Sequence, residues 1–355
     1  MSTGWIDVHH HLIPSAYAAA IDDAGYHSVA GVERPEWSPE ISLGVMDRNG
    51  IELAITSISA PGVHLGDDIA ARRLSRQCNE VSAQLVADHP TRFGSFACLP
   101  LPDLDGALDE AAYALDVLGA DGLVLLSSHS DGSHLGDPRF DELLAELDRR
   151  RTTVFIHPAI PTIAASIGVD IPVFAMEFTF DTTRAAFNLA YTGALERYPN
   201  ITWILSHAGG TVPYLASRFS LLWLREPDLA ERAPAGALEY LSRMYYDTAL
   251  SANPLALASL SALVGWDHVL FGSDFPFAPE LATTLSVMAL DEDPRFDAAS
   301  REQVRRTNAL DLGPRPGSAQ ALPAAVRTTD RRPASEWSRS RRQHRSPIPD
   351  GHRPA

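Results

Sequence analysis

The chain has 355 residues, is 45% apolar and carries a formal charge of −16, which suits one large core or two ordinary domains. The acidic balance excludes nucleic acid as a partner, and no apolar run approaches the roughly 20 residues of a membrane-crossing helix. All 29 basic residues are Arg and none is Lys, so a lysine Schiff base and a carbamylated lysine between two metals are both excluded.

The first strand-like run, Trp5–His9, begins too early to leave room for a signal peptide, so a cytoplasmic chain is expected. Cys78 and Cys98 have no metal-ligand spacing and read as reduced thiols packed in the body. The opening run leads into Asp7-Val8-His9-His10-His11. Side chains two apart on an extended strand leave the same face. His9 and His11 therefore form a pair able to grip one divalent ion, while His10 points away and is structural. Zn²⁺ favours nitrogen ligands and needs three or four protein groups, so further ligands must follow. Residues 12–40, with Pro14, Gly31, Pro35, Trp37 and Pro39, read as a small insert or lid.

Ser38-Pro39 can open a helix, with a capping oxygen before a proline in the first turn. Strand-like and amphipathic runs then alternate. The strands are Leu53–Ile58, Phe93–Cys98, Gly122–Leu126, Thr153–His157, Ile201–Ser206, Met244–Asp247 and His268–Gly272. Between them come helices over Asp68–Asp88 (capped by Asp67 or Asp68), Leu104–Leu118, Asp141–Arg150 and Thr182–Tyr198. With the opening run this makes eight strands. Such alternation implies parallel pairing through right-handed crossovers. Eight units in about 250 to 300 residues fit an α/β fold of the (β/α)₈ TIM-barrel type, distorted, with a small insert after the first strand. An open doubly wound sheet is the competitor, but no glycine-rich phosphate turn follows the first strand. The barrel is expected over residues 1–312. Residues 313–355 hold nine Arg against three acids, so this segment carries +6 and the remainder −22; its Pro, Ser and Arg content predicts a disordered tail.

Barrel enzymes carry their chemistry at the C-terminal ends of strands. His9 and His11 end strand one, His157 ends strand five, His207 ends strand six, and Asp274 follows strand eight in Gly272-Ser273-Asp274-Phe275-Pro276. A lone strand-end histidine is commonly structural, and Asp274 alone could cap the next helix. Five such residues at one end of an eight-strand map argue for a site instead. His9, His11, His157 and Asp274 can surround one metal, leaving His207 as an acid or base beside it. Zn²⁺ is the first choice and Mn²⁺ the second. His129 and His134, after strand four, share this rim and can touch substrate; His27, His64, His89 and His268 read as loop or surface residues.

At this point the chain resembles the metal-dependent amidohydrolase superfamily, in the branch of aminocarboxymuconate-semialdehyde and salicylate-type decarboxylases. The resemblance spans roughly residues 5–312 and rests on Ile6-Asp7-Val8-His9-His10-His11, Phe155-Ile156-His157-Pro158, Ser206-His207-Ala208-Gly209-Gly210 and the Asp274 motif. The stretch Asp131–Phe140 and the triple histidine are most similar to the 6-methylsalicylate decarboxylases. The resemblance implies the same four ligands, with His207 beside the metal. It also implies Arg218 as a carboxylate-binding arginine that reaches the neighbouring subunit of a homodimer.

Two reactions need these parts. A metal-activated water can attack a carbonyl, making the chain a hydrolase of a lactone or amide. Alternatively, a small aromatic carboxylic acid such as a 2-hydroxybenzoate chelates the metal through its carboxylate and ortho oxygen. Asp274, protonated, then donates to the ring carbon, and carbon dioxide leaves. The residues alone leave both open, together with a metal-bound scaffold that only binds an aromatic acid. The resemblance implies decarboxylation. Trp37, Phe178 and Phe275 are the aromatic candidates for the ring, with Phe180 and Phe277 behind them.

Overall fold

The structure, a computed structural model, describes residues 4–26 and 28–312. His27 and the expected tail at 313–355 lie outside the described residues. The described residues form ten strands: β1 (Trp5–His11), β2 (Ser28–Val29), β3 (Val32–Glu33), β4 (Ile51–Ser57), β5 (Phe93–Cys98), β6 (Gly122–Leu126), β7 (Thr153–His157), β8 (Thr202–Leu205), β9 (Tyr245–Asp247) and β10 (Val269–Leu270). β1 and β4 to β10 pair in parallel, each with its successor. Bridges from Asp7 to Phe271 and from His10 to Phe275 join the last strand back to the first. The result is a (β/α)₈ barrel.

Period-two alternation builds two apolar layers. Leu123, Leu125, Val154, Ile156, Trp203 and Leu205 pack outward on helix residues such as Leu143, Leu144 and Leu147. Their neighbours Phe96, Val124, Phe155, Ile204 and Leu270 belong to a second cluster and fill the barrel. His157 has the parity of Phe155, and Asp247 that of Tyr245, so both turn toward the barrel axis.

Local sequence accounts for several helix starts. Asp67 Oδ1 accepts from the Ala70 amide at 2.7 Å and starts the Asp68–Asp88 helix. Ser38 Oγ accepts from the Ile41 amide at 3.2 Å, with Pro39 in the first turn of the Pro39–Asn49 helix. One boundary departs from expectation. The helix placed over Thr182–Tyr198 runs instead over Val173–Tyr191, followed by a short one at Ala194–Arg197. Asp181 looks like an N-cap but lies inside the helix, fully buried. It accepts from Ser128 Oγ at 2.9 Å and the Ala159 amide at 3.0 Å.

Residues 12–40 hold the Ser15–Asp23 helix and the β2–β3 hairpin. Val29 and Ala30 of the hairpin pack on Ala60, Ile160, Val173 and Phe178. These residues follow β4 and β7, so the insert lies over the end of the barrel that carries the histidines.

Candidate metal centre

One donor atom from each of His9, His11, His157 and Asp274 falls within 4.8 Å of the others, and all four residues are buried. His9 Nε2 is 3.1 Å from His11 Nε2, and Asp274 Oδ1 is 3.3 Å and 3.1 Å from these two nitrogens. The spacing of His9 and His11 along β1 brings them together as expected. His157 arrives from β7, and Asp274 from the turn after β10.

The far side of each ring decides what the cluster can hold. His9 Nδ1 lies 2.7 Å from Asp247 Oδ2, His11 Nδ1 3.2 Å from the Ser57 carbonyl, and His157 Nδ1 2.8 Å from the Pro158 carbonyl. Carbonyls and carboxylates only accept, so the Nδ1 atoms of His9 and His157 carry the proton; His11 Nδ1, which lies 3.2 Å from the Ser57 hydroxyl as well as from its carbonyl, does the same when it donates to the carbonyl. Three Nε2 lone pairs then converge with one carboxylate oxygen. Without an ion, a proton on His9 Nε2 bridges toward His11 Nε2 and Asp274; a divalent cation takes that proton's place and satisfies all four donors at once. The donor set fits a single metal ion.

The surrounding chain holds this geometry rigidly. Asp7, fully buried, accepts from the His9 amide and the Ser273 amide at 3.0 Å each, and from Ser273 Oγ at 2.6 Å. Its other contact, 3.1 Å to His10 Nδ1, turns His10 away from the ligands; His10 Nε2 meets Ser42 Oγ at 3.0 Å. His10 is structural, as expected. The Asp274 amide donates to the His9 carbonyl at 2.8 Å, and Asp274 takes φ of 60°, a left-handed conformation costly for a non-glycine. Gly272 precedes this turn because a side chain there would strike His9 and Asp247.

Asp247 does double duty. Its Oδ2 holds His9, while Oδ1 accepts from the His207 and Ala249 amides at 2.9 Å each. His207 also has a left-handed backbone, φ 54°, and its Nε2 stands 3.5 Å from Asp274 Oδ2. The His207 Nδ1 atom is buried without a hydrogen-bond partner among the described residues.

The cluster favours positive charge at its centre. Burial disfavours a protonated His9, but Asp247 and Asp274 reverse this and hold its pKa up at about 10. Burial pushes His11 and His157 down, so they stay neutral. Burial alone would neutralise Asp274; His9, His11 and His207 outweigh it and keep the carboxyl ionised, well below its ordinary range.

The expected substrate contacts divide. Phe178 reaches the site, its ring centroid 6.1 Å from that of His157. Phe277 stands edge-on to His11 at 5.6 Å. Phe275 does not join them: it bridges to His10 and its ring sits 5.3 Å from that ring, on the opposite face of β1. Trp37 is corrected in the same way. Its indole donates at 2.9 Å to Ser42, the hydroxyl that holds His10. Arg218 is exposed on the Val212–Ser220 helix, with no hydrogen bond or ion pair to any described residue. His134 Nε2 lies 3.5 Å from Asp181 Oδ1.

A cavity of about 250 Å³ lies over the C-terminal ends of β4 to β7, walled by Ile58, Cys98, Val124, Ala159 and His129 among others. None of the four ligands lines it. Sequence reasoning overlooked Asp247, although it ends an assigned strand on the functional side; that position was the available signal.

A sequence profile of the amidohydrolase family matches residues 6–312. The chain belongs to the amidohydrolase family. The 6-methylsalicylic acid decarboxylase of Penicillium expansum is 37% identical over 313 residues, 87% of this chain and 96% of that protein. A solved amidohydrolase II is 29% identical with a TM-score of 0.81, covering 87% of this chain and 99% of that one. A solved 2,6-dihydroxybenzoate decarboxylase in complex with 2,6-dihydroxybenzoate is 25% identical with a TM-score of 0.75, covering 88% and 99%. For this amidohydrolase the family match spans β1 to the last described helix, so it includes every ligand-bearing strand.

Proposed function

We propose that this chain is a metal-dependent, non-oxidative decarboxylase of a salicylate-like aromatic acid. One observation carries the reading: three Nδ1-anchored imidazoles and Asp274 Oδ1 converge on one point, while Asp274 Oδ2 stays free to face His207 at 3.5 Å. The likeness to a 6-methylsalicylic acid decarboxylase at 37% identity favours decarboxylation over hydrolysis.

His9, His11, His157 and Asp274 would hold a divalent ion, which when bound would supply positive charge for the substrate's carboxylate and ortho oxygen. Three imidazoles and one carboxylate favour Zn²⁺, with Mn²⁺ the competitor that metal analysis separates. Asp274 is ionised before substrate arrives, so it first takes the phenolic proton. It then delivers that proton to the ring carbon bearing the carboxylate, and the ring loses its aromaticity. The bond to the carboxylate breaks, its electron pair restores the ring, and carbon dioxide leaves. The phenolate that remains takes a proton from His207, which water replenishes. Phe178 and Phe277 flank the ring.

We place the working form in the cytoplasm as a homodimer. Arg218 is exposed and makes no hydrogen bond or ion pair with any described residue, and Tyr214, Leu221 and Leu224 on the same stretch are also exposed. In a dimer this face lends Arg218 to the partner's carboxylate.

Release of carbon dioxide from 6-methylsalicylate or another 2-hydroxybenzoate by the metal-loaded protein tests the reading. Asp274→Asn, which cannot carry the proton, abolishes release. Turnover of lactones or amides with no release from any hydroxybenzoate overturns the proposal, as does an active Asp274→Asn variant.

A further inference from the structure

Each ligand imidazole has an acceptor behind its ring: Asp247 for His9, the Ser57 carbonyl for His11 and the Pro158 carbonyl for His157. The third acceptor is itself held. The Pro158 carbonyl and the Ala159 amide are the two ends of one peptide group. That bond is trans, so the two ends point in opposite directions. The carbonyl accepts from His157 Nδ1 at 2.8 Å, and the amide donates to Asp181 Oδ2 at 3.0 Å. A continuous line therefore runs from the Asp181 carboxylate, through one peptide, to a ring whose other nitrogen belongs to the metal cluster.

Asp181 is fully buried inside the Val173–Tyr191 helix, so it caps no terminus. Burying a carboxylate is costly unless hydrogen bonds offset it. Both of its bonds fall on Oδ2, from the Ala159 amide and from Ser128 Oγ at 2.9 Å. Oδ1 has no hydrogen-bond partner among the described residues, with His134 Nε2 3.5 Å away. A carboxylate accepts more strongly than a neutral oxygen, and hydrogen bonds in series polarise one another in a low-dielectric interior. A carboxylate on the Ala159 amide thus makes the Pro158 oxygen a better acceptor. That fixes the His157 proton on Nδ1 and leaves Nε2 as the lone pair for the metal. The His157 backbone is held as well, its carbonyl accepting from the Ser127 amide at 2.9 Å. The helix that carries Asp181 also carries Phe178, whose ring centroid is 6.1 Å from that of His157.

We propose that Asp181 is a positioning residue for the metal ligand His157 and acts on it through the Pro158–Ala159 peptide. The inference rests on the metal centre of the reading above, whichever acid is turned over. Two buried carboxylates then stand behind the ligands: Asp247 directly on His9, and Asp181 one peptide removed from His157. Two substitutions separate this role from a plain tie between loops. Asp181→Asn keeps an oxygen for the Ala159 amide and the Ser128 hydroxyl, so the loops stay joined while the charge behind the peptide is lost. Ser128→Ala removes the tie to the loop after β6 and leaves the carboxylate on the Ala159 amide.

Two measurements on the full-length chain test this. The first is Zn²⁺ affinity, by competition with a chelator of known affinity. Outer partners of a metal-bound imidazole are worth about 10- to 100-fold, so with a peptide between them Asp181→Asn loses about tenfold and Ser128→Ala less than about threefold. The second is the NMR signal of the His157 Nδ1 proton in metal-free protein carrying isotope-labelled histidine, assigned by its absence in His157→Gln. Asp181→Asn moves this signal upfield and speeds its exchange with solvent, whereas Ser128→Ala leaves it in place. Asp181→Asn with wild-type affinity and an unmoved signal overturns the proposal. So does Ser128→Ala matching Asp181→Asn in both readouts, because Asp181 is then a loop tie alone. Wild type supplies a check that needs no variant to fold: rapid hydrogen exchange at the Ala159 amide also overturns it. If wild type takes up no Zn²⁺, the metal reading fails, and the His157 signal, read without metal, still decides the peptide link. If it takes up Zn²⁺ but releases no carbon dioxide from any hydroxybenzoate, the decarboxylase reading fails alone.

Discussion

Replacing Asp247 by Asn isolates the electrostatic control of the metal centre. The wild-type carboxylate accepts three hydrogen bonds: from His9 Nδ1 at 2.7 Å and from the His207 and Ala249 amides at 2.9 Å each. An asparagine of the same shape has one accepting and one donating end. If its oxygen faces the two amides, its NH₂ faces His9 Nδ1 and drives the imidazole to the other tautomer. The proton then sits on Nε2, where the metal must bind. If the amide flips, its NH₂ opposes two backbone N–H groups in a site with no solvent. Neither arrangement preserves the ligand. Loss of such an orienting carboxylate costs about 10- to 100-fold in metal affinity, or roughly 1.4–2.8 kcal/mol. Competitive titration of the apoprotein with Zn²⁺ against a chelator of known affinity measures this directly. A variant that binds the ion as tightly as wild type, with a native unfolding midpoint, refutes the argument that Asp247 sets the His9 tautomer.

Gly210→Ala places a side chain on the Thr179 carbonyl oxygen at φ 61°; the backbone term alone costs about 1–3 kcal/mol, read as a lower denaturant midpoint. Arg218→Ala raises KM for the aromatic acid with a smaller change in kcat; a monomer with unchanged kinetics removes the cross-subunit role. His129 gives an acid-stability signature, because burial lowers its pKa from the ordinary 6.5 to about 4. Between these values the unfolded chain binds a proton that the folded chain refuses, so stability is full above pH 6.5 and falls on acidification toward pH 4. At about 1.4 kcal/mol per unit, the loss is about 3 kcal/mol. His129→Phe flattens that part of the stability curve relative to wild type, and parallel curves contradict it.

The features legible in the sequence are those set by short-range periodicity. Each of the eight barrel strands falls within a few residues of its expected span, because buried parallel strands are short apolar runs closed by polar residues. The strand-end rule of such barrels then locates His9, His11, His157 and Asp274 without any knowledge of distance. What periodicity cannot supply is the direction of a side chain beyond an irregular turn. Phe275 sits next to Asp274 and looks equally well placed. The left-handed φ of Asp274 and the bridge to His10 carry Phe275 to the other face of β1, and Phe277 meets His11 instead. Trp37 is lost for a related reason: its partner is a serine five residues on, a choice made by packing of the insert.

Asp181, Asp247 and His129 show a second limit. Each is a polar residue whose role is fixed by a segment distant in sequence. Asp181 has the local grammar of an N-cap, yet the chain uses it to tie the loops after β6 and β7 together. Asp247 matters because His9, 238 positions away, needs an acceptor behind its ring. His129 differs from both, since no described residue completes its buried nitrogen. His207 Nδ1 and His134 Nε2 share that state, so the barrel mouth holds several imidazole nitrogens whose partner no described residue supplies, and sequence position alone identifies none of them.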